Sequence, residues 1–118
     1  MAWRSKHTRS FLRVCAIGQR HSHARKQSGI DFVILNVIDQ RMSLSDAMRA
    51  PRIHHQALPD SLTFETNGIS APVRDSLRAM GYGLRELRAL VNVNAIMRVR
   101  GGWEGVPEPR RSGGAVGY

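Results

Sequence analysis

The sequence predicts an α+β fold with a mostly antiparallel sheet. Apolar residues recur at helical spacing from Ile30 onward, apolar and polar residues alternate after Ser61, and capping or turn residues separate the segments. The resulting order is helix, helix, strand, helix, strand, strand, with no internal repeat.

Ile30, Val33, Ile34, Val37 and Ile38 form one stripe, with Asp31, Asn36, Asp39 and Gln40 on the other side. The β-branched content would also suit a strand, but length and the polar stripe predict a helix over 30–41. Ser43 is an N-cap with Asp46 three residues on, a partial capping box. Leu44, Ala47 and Met48 supply that helix's apolar face, and Pro51 stops it near Arg49 because the residue before a proline resists helical geometry. Leu62 and Phe64 mark a strand over 61–65. Ser70 caps the next helix, with Val73, Leu77 and Met80 on one face and Arg74, Asp75 and Arg78 in water; Gly81 ends it in the left-handed position. Residues 84–90 fit either a helical turn or a strand. A strand over 91–99, a turn at Gly101-Gly102 and a short partner strand over 103–106 complete the reading.

The chain of 118 residues has room for one small domain. Its formal charge of +9 is uneven: the first 30 residues hold seven Lys/Arg and no acid, whereas the remainder carries eleven basic and nine acidic side chains. Residues 1–29 are therefore expected to form a basic arm without regular structure, and residues 30–118 the folded segment. One cysteine, Cys15, excludes an intrachain disulfide framework. No apolar stretch approaches the roughly 20 residues that span a bilayer, and the run from Phe11 to Gly18 is too short and too interrupted by Arg13 for an export signal.

Few residues suggest chemistry. His54 and His55 are adjacent and so point in different directions, which disfavours joint metal binding; the reading assigns them to holding a connection between helix and strand through bonds to backbone groups. Cys15, His21 and His23 are three soft ligands lacking the fourth that a zinc site needs. Trp3 and Phe11 among the arm's cations could stack on bases, but no nucleic-acid module accompanies them, so nucleic acid is not the expected partner. The glycine pairs at 101–102 and 113–114 open no helix and precede no Lys-Ser/Thr, which excludes a phosphate loop. No serine sits in a nucleophile elbow.

The run Ala50-Pro51-Arg52-Ile53-His54-His55-Gln56, followed by Leu58-Pro59-Asp60-Ser61-Leu62, is the most specific feature. With Val33 to Asp39, Leu77-Arg78-Ala79-Met80-Gly81, Asn92 to Ile96, Pro109-Arg110 and Gly117-Tyr118, it resembles the C-terminal end of the gamma-glutamyltranspeptidase (glutathione hydrolase) small subunit, from Val33 to Tyr118. The resemblance implies part of an αββα sandwich of the N-terminal-nucleophile hydrolase type, containing its C-terminal helices and mostly antiparallel strands only. It further implies an enzyme that cleaves glutathione and transfers the gamma-glutamyl group to water or amino acids. Ala57 stands where the family commonly has tryptophan, and Glu108 where it commonly has aspartate.

The resemblance also implies what is missing. The family's nucleophilic threonine lies upstream of any residue matched here. Its Gly-Ser-Pro-Gly-Gly loop, whose amide donors are worth about 2.7–4 kcal/mol each, falls where this chain has Ala16 to His23. The carboxylate clamp of the large subunit is absent. No catalytic, cofactor-binding or metal-binding residue is therefore assigned, no cofactor is implied, and a complementary gamma-glutamyltranspeptidase chain is the expected partner. The isolated chain is expected to be inactive and marginally stable, because its helices lack sheet layers on which the family's helices pack. The family is typically exported or membrane-attached, so compartment stays open. The break at residue 30 is what a shifted reading frame or an alternative start would leave; translating the upstream DNA in the other frames tests this, and absence of the Gly-rich loop from every frame would overturn it.

Overall fold

The structure, a computed structural model, describes residues 2–4, 11–16 and 23–116. Strands β1 (Ala2–Arg4) and β2 (Phe11–Ala16) lead to helix α1 (His23–Ile38) and helix α2 (Leu44–Arg49). Strands β3 (Ile53–Gln56) and β4 (Ser61–Glu65), helix α3 (Ala71–Ala79), and strands β5 (Gly83–Leu87), β6 (Val93–Val99) and β7 (Gly102–Val106) follow. One sheet has the order β1-β2-β6-β7 and is antiparallel throughout. The second has the order β3-β4-β5; β3 runs antiparallel to β4, and β5 runs parallel to it after the α3 crossover that a parallel pair requires.

The core lies between the two N-terminal helices and the inner face of β6. Val33 of α1 and Leu44, Ala47 and Met48 of α2 meet Leu90, Val91, Val93 and Ala95, with Ile30, Ile34 and Val37 packed at the margin. This is the predicted α1 stripe and the predicted α2 face. Ser43 caps α2 as expected: its hydroxyl accepts from the Asp46 amide at 3.1 Å and donates to the Asp46 carboxylate at 2.7 Å. Gly81 has φ +92°, the predicted left-handed stop.

Three expectations need correction, and one open alternative is resolved. Helix α1 begins at His23, not near Ile30, so the boundary expected at residue 30 falls inside a helix. Gly29 interrupts the apolar period in sequence for a steric reason. It is where α1 lies against β6, and a Cβ there would come within 2.3 Å of Val91 Cγ1 and 3.1 Å of Val93 Cγ2. Within the segment expected to be an irregular arm, β2 instead pairs with β6 from Leu12↔Met97 to Ala16↔Val93, taking ladder hydrogen bonds that β6 offers on that edge. The stretch between Pro51 and Pro59, read as a connection, contains β3, whose backbone is satisfied by β4. Residues 83–87 resolve as a strand because β4 supplies a parallel partner.

Gly29→Ala provides a direct check on the close approach. The substitution gains up to about 1 kcal/mol of helix propensity, yet overpacking at the contact is expected to cost about 1–3 kcal/mol. A lower urea midpoint for Gly29→Ala, recovered in Gly29→Ala/Val91→Ala, is the expected result.

α3 is poorly buried. It has no buried residue, and Val73 and Met80 of its predicted apolar face are exposed. On the outer face of the larger sheet, Ile96 and Trp103 are also exposed.

Candidate functional site

Pro51 ends α2 and leaves its last carbonyls without helical partners. Two arginines fill that role. Arg52 Nη2 donates to the Met48 carbonyl at 3.1 Å and Nη1 to the Val91 carbonyl at 2.7 Å. Arg110 Nη1 donates to the same Met48 carbonyl at 2.8 Å and Nη2 to the Ala50 carbonyl at 2.8 Å. Cations at a helix C-terminus also meet the negative end of its dipole.

Two glutamates neutralise these arginines. Glu108 Oε2 accepts from Arg52 Nη1 at 2.9 Å and from the Val93 amide at 2.6 Å, while its Oε1 accepts from Arg110 Nη1 at 3.1 Å. Glu65 Oε2 accepts from Arg110 Nε at 2.9 Å and Nη2 at 2.5 Å, and from the Arg52 amide at 3.0 Å. Glu65 Oε1 accepts from the Leu90 amide at 2.9 Å. Arg52, Glu65 and Glu108 are at most 5% exposed. The four side chains thus form a closed, charge-balanced quartet that ties residues 108–110 to the α2–β3 junction and to the segment entering β6. Arg52 Nε is the one buried side-chain polar atom among the described residues that lacks a partner.

Burial alone would raise the Glu108 carboxyl, but the Val93 amide and the Arg52 and Arg110 guanidiniums outweigh it and hold it below its ordinary value. For Arg52 the balance differs: burial dominates and pulls the guanidinium below its ordinary value, against the opposing pull of Glu108. The Glu108 contribution to stability is therefore present above the ordinary carboxylate value of 4.5 and is lost as pH falls through the lower folded value. Glu108→Gln is expected to lower stability at neutral pH and to flatten the acid limb of a stability–pH curve as pH falls below 4.5. An acid limb as steep as the parent's would contradict this.

The paired histidines project from opposite faces of β3. His54 is buried against α1: its Nδ1 lies 2.8 Å from Ser28 Oγ, and its Nε2 lies 3.0 Å from Gln56 Oε1. Gln56 Nε2 donates to the Leu58 carbonyl at 2.9 Å, which turns the amide oxygen toward the ring. In this arrangement His54 Nε2–H donates to Gln56 and Nδ1 accepts from the Ser28 hydroxyl. His55 is exposed, 2.8 Å from Asp60 Oδ1 and edge-on to Tyr82. The expected bonds to backbone groups are replaced by bonds to side chains, because β4 already occupies the backbone of β3.

Cys15 lies in β2 and His23 opens α1, whereas His21 lies outside the described residues, as does most of the segment standing where the oxyanion loop was expected. Among the described residues, no group of three or more His, Cys, Asp or Glu is placed to hold a metal ion, and no helix is long and apolar enough to cross a membrane. Ala57 is exposed, so the missing tryptophan leaves no void in the core. The longer Glu108, where aspartate was expected, reaches both Arg52 and the Val93 amide. Sequence reasoning flagged Arg52, Glu108 and Arg110 only as motif letters. The recurring Pro-Arg pair, once after α2 and once near the C-terminus, was the available signal.

Helices on one side of an antiparallel sheet, joined to a smaller mixed sheet, make this chain part of an α+β sandwich of the N-terminal-nucleophile hydrolase type. The chain belongs to the gamma-glutamyltranspeptidase family: the family model so described matches residues 24–118, beginning before the Val33 expected from the motifs. It is 31% identical over 87 residues to a glutathione hydrolase of Aspergillus flavus, which covers 70% of this chain and 15% of that protein. The gamma-glutamyltranspeptidase of Pseudomonas nitroreducens complexed with L-DON is 30% identical with a TM-score of 0.80, covering 100% of this chain and 60% of that one. An acivicin-inhibited gamma-glutamyltranspeptidase, described as revealing critical roles for its C-terminus in autoprocessing and catalysis, is 35% identical with a TM-score of 0.75. That match covers 93% of this chain and 60% of the other. The chain thus spans about three fifths of those solved chains and about 15% of the curated relative.

Proposed function

We propose that this chain is the C-terminal part of a gamma-glutamyltranspeptidase, catalytically silent alone, and that it works only with a complementary chain supplying nucleophile, oxyanion hole and substrate clamp. The assembled enzyme would cleave glutathione and pass the gamma-glutamyl group to water or an amino acid. The observation that carries this reading is the use made of the polar groups. Both Glu65 and Glu108, both arginines of the quartet and both imidazoles are engaged by the protein itself. The arginines and glutamates act as a clamp on the segment around residues 108–110, in a family where one relative's C-terminus is described as critical for autoprocessing and catalysis. The purified chain is expected to release no chromophore from a gamma-glutamyl anilide above a heat-killed control, and to gain turnover when co-expressed with the complementary chain. Turnover by the chain alone overturns the proposal.

A second reading, a non-catalytic interaction module, is favoured by the exposed apolar residues Val73 and Met80 on α3 and Ile96 on the larger sheet. Co-purification without any gain of turnover would select it.

A further inference from the structure

Beside the quartet, the end of α2, the residues after β4 and those after β5 enclose a surface pocket of about 290 Å³. Arg49, Arg88, Arg110, Thr66 and Glu65 line it, with proline walls. The floor is electrically closed. Glu65 spends both oxygens on Leu90, Arg52 and Arg110, and the Arg110 guanidinium turns its donors toward Glu65, Glu108 and the α2 carbonyls.

The rim is different. Arg49 and Arg88 are exposed, and neither guanidinium has a partner among the described residues. Two other surface arginines do have acids nearby: Arg74 has Glu86 at 3.6 Å and Arg78 has Asp75 at 3.2 Å. At this pocket two uncompensated positive charges and the Thr66 hydroxyl border a floor made rigid by buried ion pairs. Guanidinium forks match carboxylate and phosphate oxygens. The volume lies just below the roughly 300–1,000 Å³ typical of ligand pockets, which suits a small ligand.

We propose that this pocket is a binding site for a small doubly charged oxyanion, a phosphate group or a dicarboxylate. Arg49 and Arg88 contact its oxygens directly and Thr66 donates a further hydrogen bond. The proposal does not depend on the functional reading above.

The test is calorimetric and NMR titration of the full chain with inorganic phosphate, succinate and acetate. One-site binding of phosphate or of succinate, with acetate weaker, is expected; which dianion saturates the site identifies the ligand class. Arg49→Gln and Arg88→Gln should each weaken binding by about tenfold or more, the loss of a charged hydrogen bond. Arg98→Gln/Arg100→Gln, on the β6–β7 hairpin, should leave it unchanged. Both rim residues are exposed, so unchanged melting temperatures should accompany the loss. Equal weakening by the hairpin pair, binding indifferent to Arg88→Gln, or no saturation by either dianion overturns the proposal.

Discussion

Arg52→Ala is expected to cost about 3–5 kcal/mol, the penalty for removing one partner of a buried ion pair. The truncation removes the Glu108 partner at 2.9 Å and leaves the Val91 carbonyl without its 2.7 Å donor. Small domains are stable by only about 5–15 kcal/mol, so the variant should have lost most of its folded population at moderate urea. Tryptophan fluorescence during urea unfolding reads this. Because Arg52 and Glu108 are in contact, a cycle with Glu108→Gln should show clear non-additivity. An Arg52→Ala chain that unfolds at the parent's midpoint would mean the quartet contributes nothing to folding.

Met48→Ala should cost about 2–5 kcal/mol through lost burial and the cavity it leaves. Met48 is fully buried among Leu44, Val33 and Val93. Its carbonyl, which receives both arginines, is retained in the variant, so the loss isolates packing from the ionic network. Met48→Leu nearly conserves volume and should cost less than about 1.5 kcal/mol. A leucine variant as weak as the alanine one would contradict the packing explanation.

These two residues mark what sequence reading could and could not reach. Met48 was legible because Leu44, Ala47 and Met48 repeat at helical spacing after a capping serine, a signal contained within one short segment. The α1 stripe and the Gly81 stop were legible for the same reason. Arg52 was not, since its carboxylate partner lies 56 residues away and a lone arginine reads as surface. β3 was missed because its pairing is supplied by β4 rather than by its own pattern, and two flanking prolines suggested irregular chain. The start of α1 was hidden because residues 23–28 carry one apolar side chain, Ala24, and so add nothing to the stripe that begins at Ile30. The family was legible from the Pro-Arg-Ile-His-His-Gln block; the work done by its arginine and histidines shows only in the fold.

The quartet also imposes a schedule. Ribosomes extend a chain at about 5–20 residues per second, and folding begins behind them. Arg52 and Glu65 emerge well before Arg110, their separations in sequence being 56 residues for Arg52–Glu108 and 45 for Glu65–Arg110. Until residues 108–110 have been made, the α2–β3 junction holds charges it cannot pair. The helices and the smaller sheet can assemble early, but the ion pairs at this junction close only when the segment after β7 arrives.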